Sequence, residues 1–254
     1  MSFRSGAANG PAAIREFSWS LESYSPILEH DLLELTVLDL GDLSLASGSI
    51  EDALSVIETA MQRAASAARL PVMLGGEHTV SLGGYRGIRH IHPDALLIYV
   101  DAHADFRDEY EGQAVTHASW VYHAGAEAGY ENIIQLGVRS GAREEWPRSR
   151  GLTRFSQEPL DIPAWACGDL AQRPIYLSID IDVLDPAFAP GTGSPEPGGV
   201  SFRELAAFLY SLAALRVVAL DVVEVAPNLD PSGITAVAAA KLVREAILLF
   251  SRSG

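Results

Sequence analysis

Two apolar segments of this chain each end in acidic residues or histidine at every second position. Side chains alternate between the two faces of a β-strand, so residues spaced by two would point the same way if strand geometry persists. So many carboxylates in one place repel one another unless a cation neutralises them. The segments LLIYVDAHADF and IYLSIDIDVLDP therefore predict a metal site at the ends of two strands, and its ligands would be Asp101, His103, Asp105, Asp180 and Asp182.

Apolar runs alternate along the chain with amphipathic or Ala-rich segments, a pattern typical of a parallel sheet with helices on both faces. Ligands of such sheets bind at the carboxyl ends of the strands. Asp101, Asp180, Asp182 and Glu224 all fall at such ends. The predicted strands are 35–40, 71–74, 95–100, 132–138, 174–181 and 216–225, and the predicted helices are 50–69, 79–91, 116–128, 201–214 and 232–251.

Composition limits the class of protein. With 254 residues and 48% hydrophobic content, the chain is expected to form one domain over residues 1–254. The single cysteine, Cys167, excludes an intrachain disulfide framework and fits a reducing cytosol. The sequence has neither the apolar core of a secretory signal nor a run long enough to span a membrane. We therefore expect a soluble, cytoplasmic protein with no membrane partner.

The charge balance bears on partners. The net charge is −15, which argues against nucleic acid, because phosphate binding needs clustered Lys and Arg. An acidic protein attracts cationic substrates instead. The alternative is that the acidic composition of the chain promotes solubility and has no role in binding a substrate.

A further metal ligand is predicted in the segment LGGEHTVSLGG, residues 74–84. Thr79 could cap the helix that begins there, which would place His78 at the same edge of the sheet. A phosphate loop is the alternative for a Gly-rich turn, but this one lacks the lysine of that motif and carries Glu77. A lone histidine at a helix start is more often a structural hydrogen-bonding group, and the neighbouring acids favour the ligand.

The complete set holds two imidazoles, four carboxylates and no thiolate. Four negative charges would balance two divalent cations, and oxygen-rich ligation with some imidazole favours Mn²⁺ over structural Zn²⁺, while Ni²⁺, Fe²⁺ and Co²⁺ stay open. Two ions about 3.5–4 Å apart lower the pKa of a water molecule. The set therefore predicts hydrolysis.

Three strings resemble the metal-binding signatures of the ureohydrolase family, which includes arginases and agmatinases: GGEHT at 75–79, DAHAD at 101–105 and SIDIDVLDPAFAPGTGSPEPGG at 178–199. The resemblance implies a three-layer α/β/α sandwich with a mainly parallel, eight-stranded sheet. It also implies two Mn²⁺ ions per subunit, with Asp101 and Asp180 bridging them. One ion would bind His78, Asp101, Asp105 and Asp180, and the other Asp101, His103, Asp180 and Asp182.

The same resemblance assigns catalytic roles. Glu224 is similar to the family's guanidinium-binding glutamate, and His117, in VTHASW, to its histidine for substrate binding or proton transfer. Asp105 would serve catalysis as well as metal binding. The alternatives are a surface acid after a strand for Glu224 and a structural role for His117.

The substrate is predicted from the loop FRDEYEGQAVTHAS, residues 106–119. Arginases bind the substrate's carboxylate and amine through a loop rich in Asn, Ser and Gly, and this loop has no Asn. Asp108, Glu109 and Glu111 would repel a carboxylate and could attract an amine. RDEYEG followed by His-Ala resembles archaeal-type agmatinases, so agmatine is the leading substrate, with putrescine and urea as products.

Other substrates stay open. Arg107 could pair with a neighbouring acid, or it could receive the carboxylate of 4-guanidinobutyrate. Arginine, aminopropylagmatine and guanidine are further candidates. A non-catalytic metal-binding member of the family is the alternative from another class.

Three further expectations concern a loop beside the site, the sheet and the assembly of subunits. Residues 184–199 contain four prolines and four glycines, which suits an ordered loop that walls the site, or a connector without substrate contact. Related chains place a first central strand before the segment that reads RSGAANGPAAIREFSW here, whereas this sequence starts at Met1, only a few residues upstream of it. The sheet is therefore expected to lack an internal strand; either the recorded start is too far downstream, or the domain closes differently, or an oligomer neighbour fills the gap. The family also implies a homo-oligomer, a trimer or a hexamer.

Overall fold

The computed structural model describes residues 4–251 apart from 46–47, 68–69, 157–159, 161–167 and 169–171, so Cys167 lies outside the described residues. A parallel sheet of six strands lies between two layers of helices. The strands are β1 (Tyr24–Ser25), β2 (His30–Asp31), β3 (Val72–Leu74), β4 (Leu96–Val100), β5 (Ile133–Leu136), β6 (Arg154–Ser156), β7 (Ile175–Asp180) and β8 (Val217–Val223). The helices are α1 (Gly10–Ser18), α2 (Ile50–Ser66), α3 (Val80–Arg89), α4 (Trp120–Ala128), α5 (Glu145–Leu152), α6 (Phe202–Ser211) and α7 (Ile234–Phe250).

The strand order of the sheet is β3-β8-β7-β4-β5-β6, and every pair is parallel, while β1 and β2 form a separate antiparallel hairpin. The order reverses between β7 and β4, and such a switch point opens a crevice at the carboxyl ends of the strands. Val100 pairs with Ile179, so Asp101 and Asp180 follow side by side at this crevice. Asp180 in turn pairs with Val223, which places Glu224 one strand further along the same edge.

The two faces of the sheet carry separate hydrophobic cores, as expected for strands that are buried on both sides. In β4, Leu96 and Ile98 pack with α1, α6 and α7, whereas Leu97 and Tyr99 pack with α2, α3 and α4. The parallel sheet flanked by helices that the alternation predicts and the three-layer α/β/α sandwich that the resemblance implies are thus confirmed. No helix among the described residues is long and apolar enough to cross a membrane.

Three parts of the prediction differ from the structure. The predicted strand 35–40 is wrong: this stretch pairs with no strand among the described residues, and Val37, Leu38 and Leu40 are exposed. An apolar run forms a strand only where a neighbour supplies hydrogen bonds. The sheet accordingly has six described strands where the resemblance implied eight, and α1, α5 and β6 were not predicted.

Candidate metal centre and active site

His78 lies in the turn between β3 and α3 and is completely buried. Its Nδ1 faces three carboxylate oxygens: Asp101 Oδ2 at 2.9 Å, Asp180 Oδ2 at 3.1 Å and Asp105 Oδ2 at 3.6 Å. Nδ1 nevertheless makes no hydrogen bond of acceptable geometry. The ligand atoms of His78, Asp101 and Asp105 all lie within 4.8 Å of one another, close enough to surround one cation, and Asp180 lies beside them.

The opposite side of the ring explains which nitrogen faces the acids. Ser178 Oγ donates to Asp221 Oδ1 at 2.7 Å, so it can only accept from His78 Nε2, which lies 3.0 Å away. The proton on Nε2 leaves the lone pair of Nδ1 directed at the carboxylates. The buried carboxylate of Asp221, acting through the hydroxyl of Ser178, thus sets the tautomer of His78 that metal binding requires.

A second group of ligands adjoins the first. His103 Nδ1 lies 2.9 Å from Asp182 Oδ2 and 3.4 Å from Asp101 Oδ1. Two sets of three ligand atoms are each close enough to hold one ion: His78, Asp101 and Asp105 in one set, and Asp101, His103 and Asp182 in the other. Asp101 belongs to both sets. Asp180 contributes Oδ2 beside His78, while its Oδ1 accepts from the backbone N–H of Asp182 at 2.8 Å.

The backbone brings these side chains together differently from the predicted strand alternation. β4 ends at Val100, and Asp105 adopts a left-handed conformation with φ of 48°. β7 ends at Asp180, and a 3₁₀-helix, Ile181–Val183, begins there. The predicted ligands converge, but loops and a helical turn after the strands direct them.

The charge of the cluster shifts the pKa of nearly every member. Burial, together with repulsion from neighbouring carboxylates, raises the pKa of Asp105, Asp180 and Asp182. Burial opposes a charge on His78 and His103, but the adjacent carboxylates outweigh it and raise the pKa of both rings. The cluster is therefore stabilised by added positive charge, and protons and divalent cations compete to bind to it.

Glu224 follows β8 in a left-handed conformation with φ of 63°, which is uncommon for a residue with a side chain. This turn sends its carboxylate back over the sheet edge, where Oε1 accepts from the N–H of His78 at 2.8 Å. Burial raises the pKa of Glu224 to about 7, and the acids Glu77 and Asp182 act in the same direction. Glu224 is therefore a buried acid beside the ligands, and the alternative of a surface acid is wrong.

A cavity of about 320 Å³ opens over the cluster, and His117 and Glu224 line it together with the ligands. His117 Nδ1 lies 3.0 Å from Glu77 Oε1, which orients the ring. Ser194 also lines the cavity, so the loop 184–199 does form part of the wall. By contrast, the acids of the loop 106–119 that were predicted to attract an amine are exposed and are absent from the described lining: Asp108, Glu109 and Glu111.

Several residues that support the ligands were not predicted. Tyr99 donates from its hydroxyl to Asp101 Oδ2 at 2.6 Å, and Trp120 packs against the His78 ring at 4.8 Å between centroids. Asp221 is completely buried in β8. An acid inside an apolar run, as in VVALDVV, was the available signal for Asp221, because a buried carboxylate needs partners.

Fold and site together define the class: a parallel α/β/α hydrolase with an oxygen-rich cluster of ligands for metal. A family profile described as the arginase family matches residues 1–249. An agmatinase from Halalkalibacterium halodurans is 41% identical over 252 residues, which cover 98% of this chain and 87% of that protein. A guanidinobutyrase from Pseudomonas aeruginosa is 33% identical, with 96% and 81% covered.

Solved structures of relatives have the same fold. The agmatine ureohydrolase of Thermoplasma volcanium superposes with a TM-score of 0.87 at 32% identity, covering 98% of this chain and 85% of that one. The chain belongs to the arginase family. It is therefore an enzyme, an amidinohydrolase of that family.

Proposed function

We propose that this protein is a binuclear manganese enzyme that hydrolyses the guanidino group of agmatine to putrescine and urea. The observation that carries the proposal is the pair of ligand sets that share Asp101 and face a cavity beside Glu224. The homologues named agmatinase, about 40% identical over nearly the whole chain, support agmatine as the substrate.

The ligands suit two divalent ions. His78 Nδ1 is buried and lacks a hydrogen bond, as expected of a nitrogen whose partner is a metal. Four carboxylates without a thiolate favour Mn²⁺ among the divalent ions. His78, Asp101, Asp105 and Asp180 would hold one ion, and Asp101, His103, Asp180 and Asp182 the other. Bound there, the ions supply the Lewis acidity that makes water nucleophilic at neutral pH.

The chain's own residues then bind the substrate and move protons. Glu224, ionised by the approach of a cation, would hold the guanidinium by paired hydrogen bonds to its carboxylate. Asp105 would accept the proton of the water that adds to the guanidinium carbon, because its carboxylate lies among the ligands, 3.6 Å from His78 Nδ1. The C–N bond to the alkyl amine breaks, and His117, oriented by Glu77, would deliver the proton that this amine needs to leave.

A panel assay of urea release tests the substrate. Agmatine, arginine, 4-guanidinobutyrate, aminopropylagmatine and guanidine are each supplied to the manganese-loaded protein. We expect the highest kcat/KM with agmatine. Highest turnover of arginine or 4-guanidinobutyrate would reject agmatine, and bound metal without turnover of any of the five would support a non-catalytic role.

Metal stoichiometry tests the ligands. Asp101→Asn and Asp180→Asn should each lose both ions and all measurable activity, because each residue is proposed to bridge. Asp182→Asn should keep about one ion per chain, and Asp94→Asn, an exposed acid outside the site, should keep two. Elemental analysis of the purified variants gives the counts. Two ions and normal turnover in Asp180→Asn would refute its bridging role.

A further inference from the structure

The cavity wall outside the cluster contains an ion pair. Arg107 Nε lies 3.3 Å from Glu145 Oε2, and the Arg107 guanidinium stacks over Tyr110, 4.7 Å from the ring centroid. All three side chains line the cavity. The Arg107 side chain is 34% exposed, whereas that of Glu145 is only 3% exposed.

Glu145 is held in place by the backbone. Its Oε1 accepts from the N–H of Phe106 at 2.9 Å, and its Oε2 accepts from the N–H of Ala142 at 2.5 Å. The bond from Phe106 joins the start of α5 to the chain that follows the ligands. Both bonds also fix the position of the carboxylate beside Arg107.

The pair is placed where the substrate's tail must lie. If the cluster and Glu224 take the guanidinium, the rest of the substrate contacts the remaining lining. Among those described lining residues, apart from His117, the only charged ones are Arg107 and Glu145. Opposite charges 3.3 Å apart largely cancel each other's field at longer distance, so Arg107 offers a carboxylate little net attraction.

We propose that Glu145 determines specificity: by compensating Arg107, it makes the site disfavour guanidino compounds with a carboxylate tail and accept those with an amine tail. This inference rests on the proposed function and assigns the tail preference of the same site. The exposed acids of the loop 106–119 do not line the cavity and are not needed for it. Specificity then arises because Glu145 removes the attraction that an uncompensated Arg107 would exert on a carboxylate tail.

The test compares kcat/KM for agmatine with kcat/KM for 4-guanidinobutyrate. Glu145→Gln should lower the ratio at least tenfold, because Arg107 is then uncompensated. Arg107→Gln should raise it at least fivefold, because Glu145 keeps its backbone donors and its charge. The double variant should return to within threefold of the wild type. Opposite signs from two substitutions at one contact distinguish a charge effect from structural damage, which would lower both rates together.

Exposed neighbours supply matched controls. Glu144→Gln and Arg143→Gln make the same chemical changes within two positions of Glu145, at exposed residues, and should leave the ratio within twofold. A ratio unchanged in Arg107→Gln overturns the proposal even if Glu145→Gln does not fold. The same sign in both single variants overturns it as well.

A second measurement does not depend on turnover. Putrescine and 4-aminobutyrate carry the same two tails, and their dissociation constants from the manganese-loaded protein can be measured by calorimetry. Glu145→Gln should bind 4-aminobutyrate at least tenfold more tightly relative to putrescine. If the wild type hydrolyses none of the guanidino compounds, the proposed function fails, whereas an unchanged ratio of these two constants is the failure of the role of Glu145.

Discussion

At the residue scale, the two ring nitrogens of His78 have different roles. Nδ1 faces the carboxylates, and Nε2 is held by Ser178, which is itself held by Asp221. Because Asp221 also accepts from the hydroxyl of Tyr176 at 2.5 Å, the relay is anchored to two neighbouring strands. A ligand that is oriented in this way loses less freedom when it binds an ion.

Ser178→Ala should therefore weaken metal binding without removing a ligand. The ring of His78 would lose the acceptor that fixes its tautomer, and loss of such a partner typically lowers affinity 10- to 100-fold. We expect a decrease of about tenfold in Mn²⁺ affinity for one of two ions, measured by calorimetric titration. Ser211→Ala, which removes a hydroxyl that donates to the carbonyl of Phe208 at the end of α6, is the control. Equal affinity in both variants would contradict the relay.

How much of the site the sequence could predict follows from the same residues. Asp101, His103 and Asp105 could be predicted to lie together because their spacing is unusual and their positions are local in the chain. Ser178 and Asp221 could not, because a hydroxyl and an acid gain their role only from a strand pairing that joins distant segments. The reach of Glu224 back to His78 likewise depends on a left-handed backbone conformation that its sequence does not indicate.

At the element scale, α3 connects the site to the core. It begins two residues after His78 and packs closely on α2 through glycines, where a side chain would meet backbone atoms. A Cβ on Gly87 would lie 2.4 Å from the carbonyl oxygen of Glu58 and 2.9 Å from Met61 Cβ. The close approach of the two helices thus fixes where the ligand-bearing turn emerges.

Gly87→Val should separate these helices and destabilise the protein. Overpacking of this kind costs typically about 1–3 kcal/mol in the free energy of unfolding. Gly151→Val, at the end of α5 with no atom within 4 Å of its Cβ position, should change it by less than about 0.5 kcal/mol. Urea unfolding of both variants provides the measurement, and equal stabilities would show that the helices can move apart at little cost.

The sequence predicts a strand or helix correctly where its hydrophobic pattern is strong and where neighbouring strands are present to pair with it. β4 and β7 are buried runs in the middle of the sheet, and they form as expected. The run 35–40 has the same composition, but a strand also needs a neighbour, and sequence alone does not say whether one is present. α5 is short and carries a proline and a glycine, Pro147 and Gly151, so its pattern favours no element by itself.

At the scale of the whole molecule, the stability of the fold is linked to the binding of divalent cations. The chain carries a net charge of −15 and concentrates five buried carboxylates, the four proposed ligands and Glu224, at one edge of its sheet. A divalent cation would relieve their repulsion in the native state only, so saturating cation should stabilise the fold by mass action. Since protons compete for the same ligands, this stabilisation grows as the pH rises.

In the metal-free protein, the free energy of unfolding should instead decline as the pH rises. The pKa of Glu224 is about 7 in the native state, whereas a glutamate in the unfolded chain has its ordinary pKa of 4.5, so the native state binds the proton more tightly. Its contribution is complete below pH 4.5 and is lost as the pH rises through 7. The shift corresponds to at most about 3 kcal/mol. Urea unfolding in chelator between about pH 4.5 and 8 should therefore show declining stability.

Glu224→Gln isolates this contribution, because glutamine keeps the acceptor for the N–H of His78 and does not titrate. The stability of the variant relative to wild type should rise by up to about 3 kcal/mol between pH 4.5 and 8. The raised pKa values of Asp105 and Asp180 act in the same direction in both proteins and largely cancel in the difference, whereas Asp182, which repels Glu224, is itself affected by the substitution. Parallel stability curves would mean that Glu224 is already ionised in the native state, and burial would then not be what prepares it for a cationic substrate.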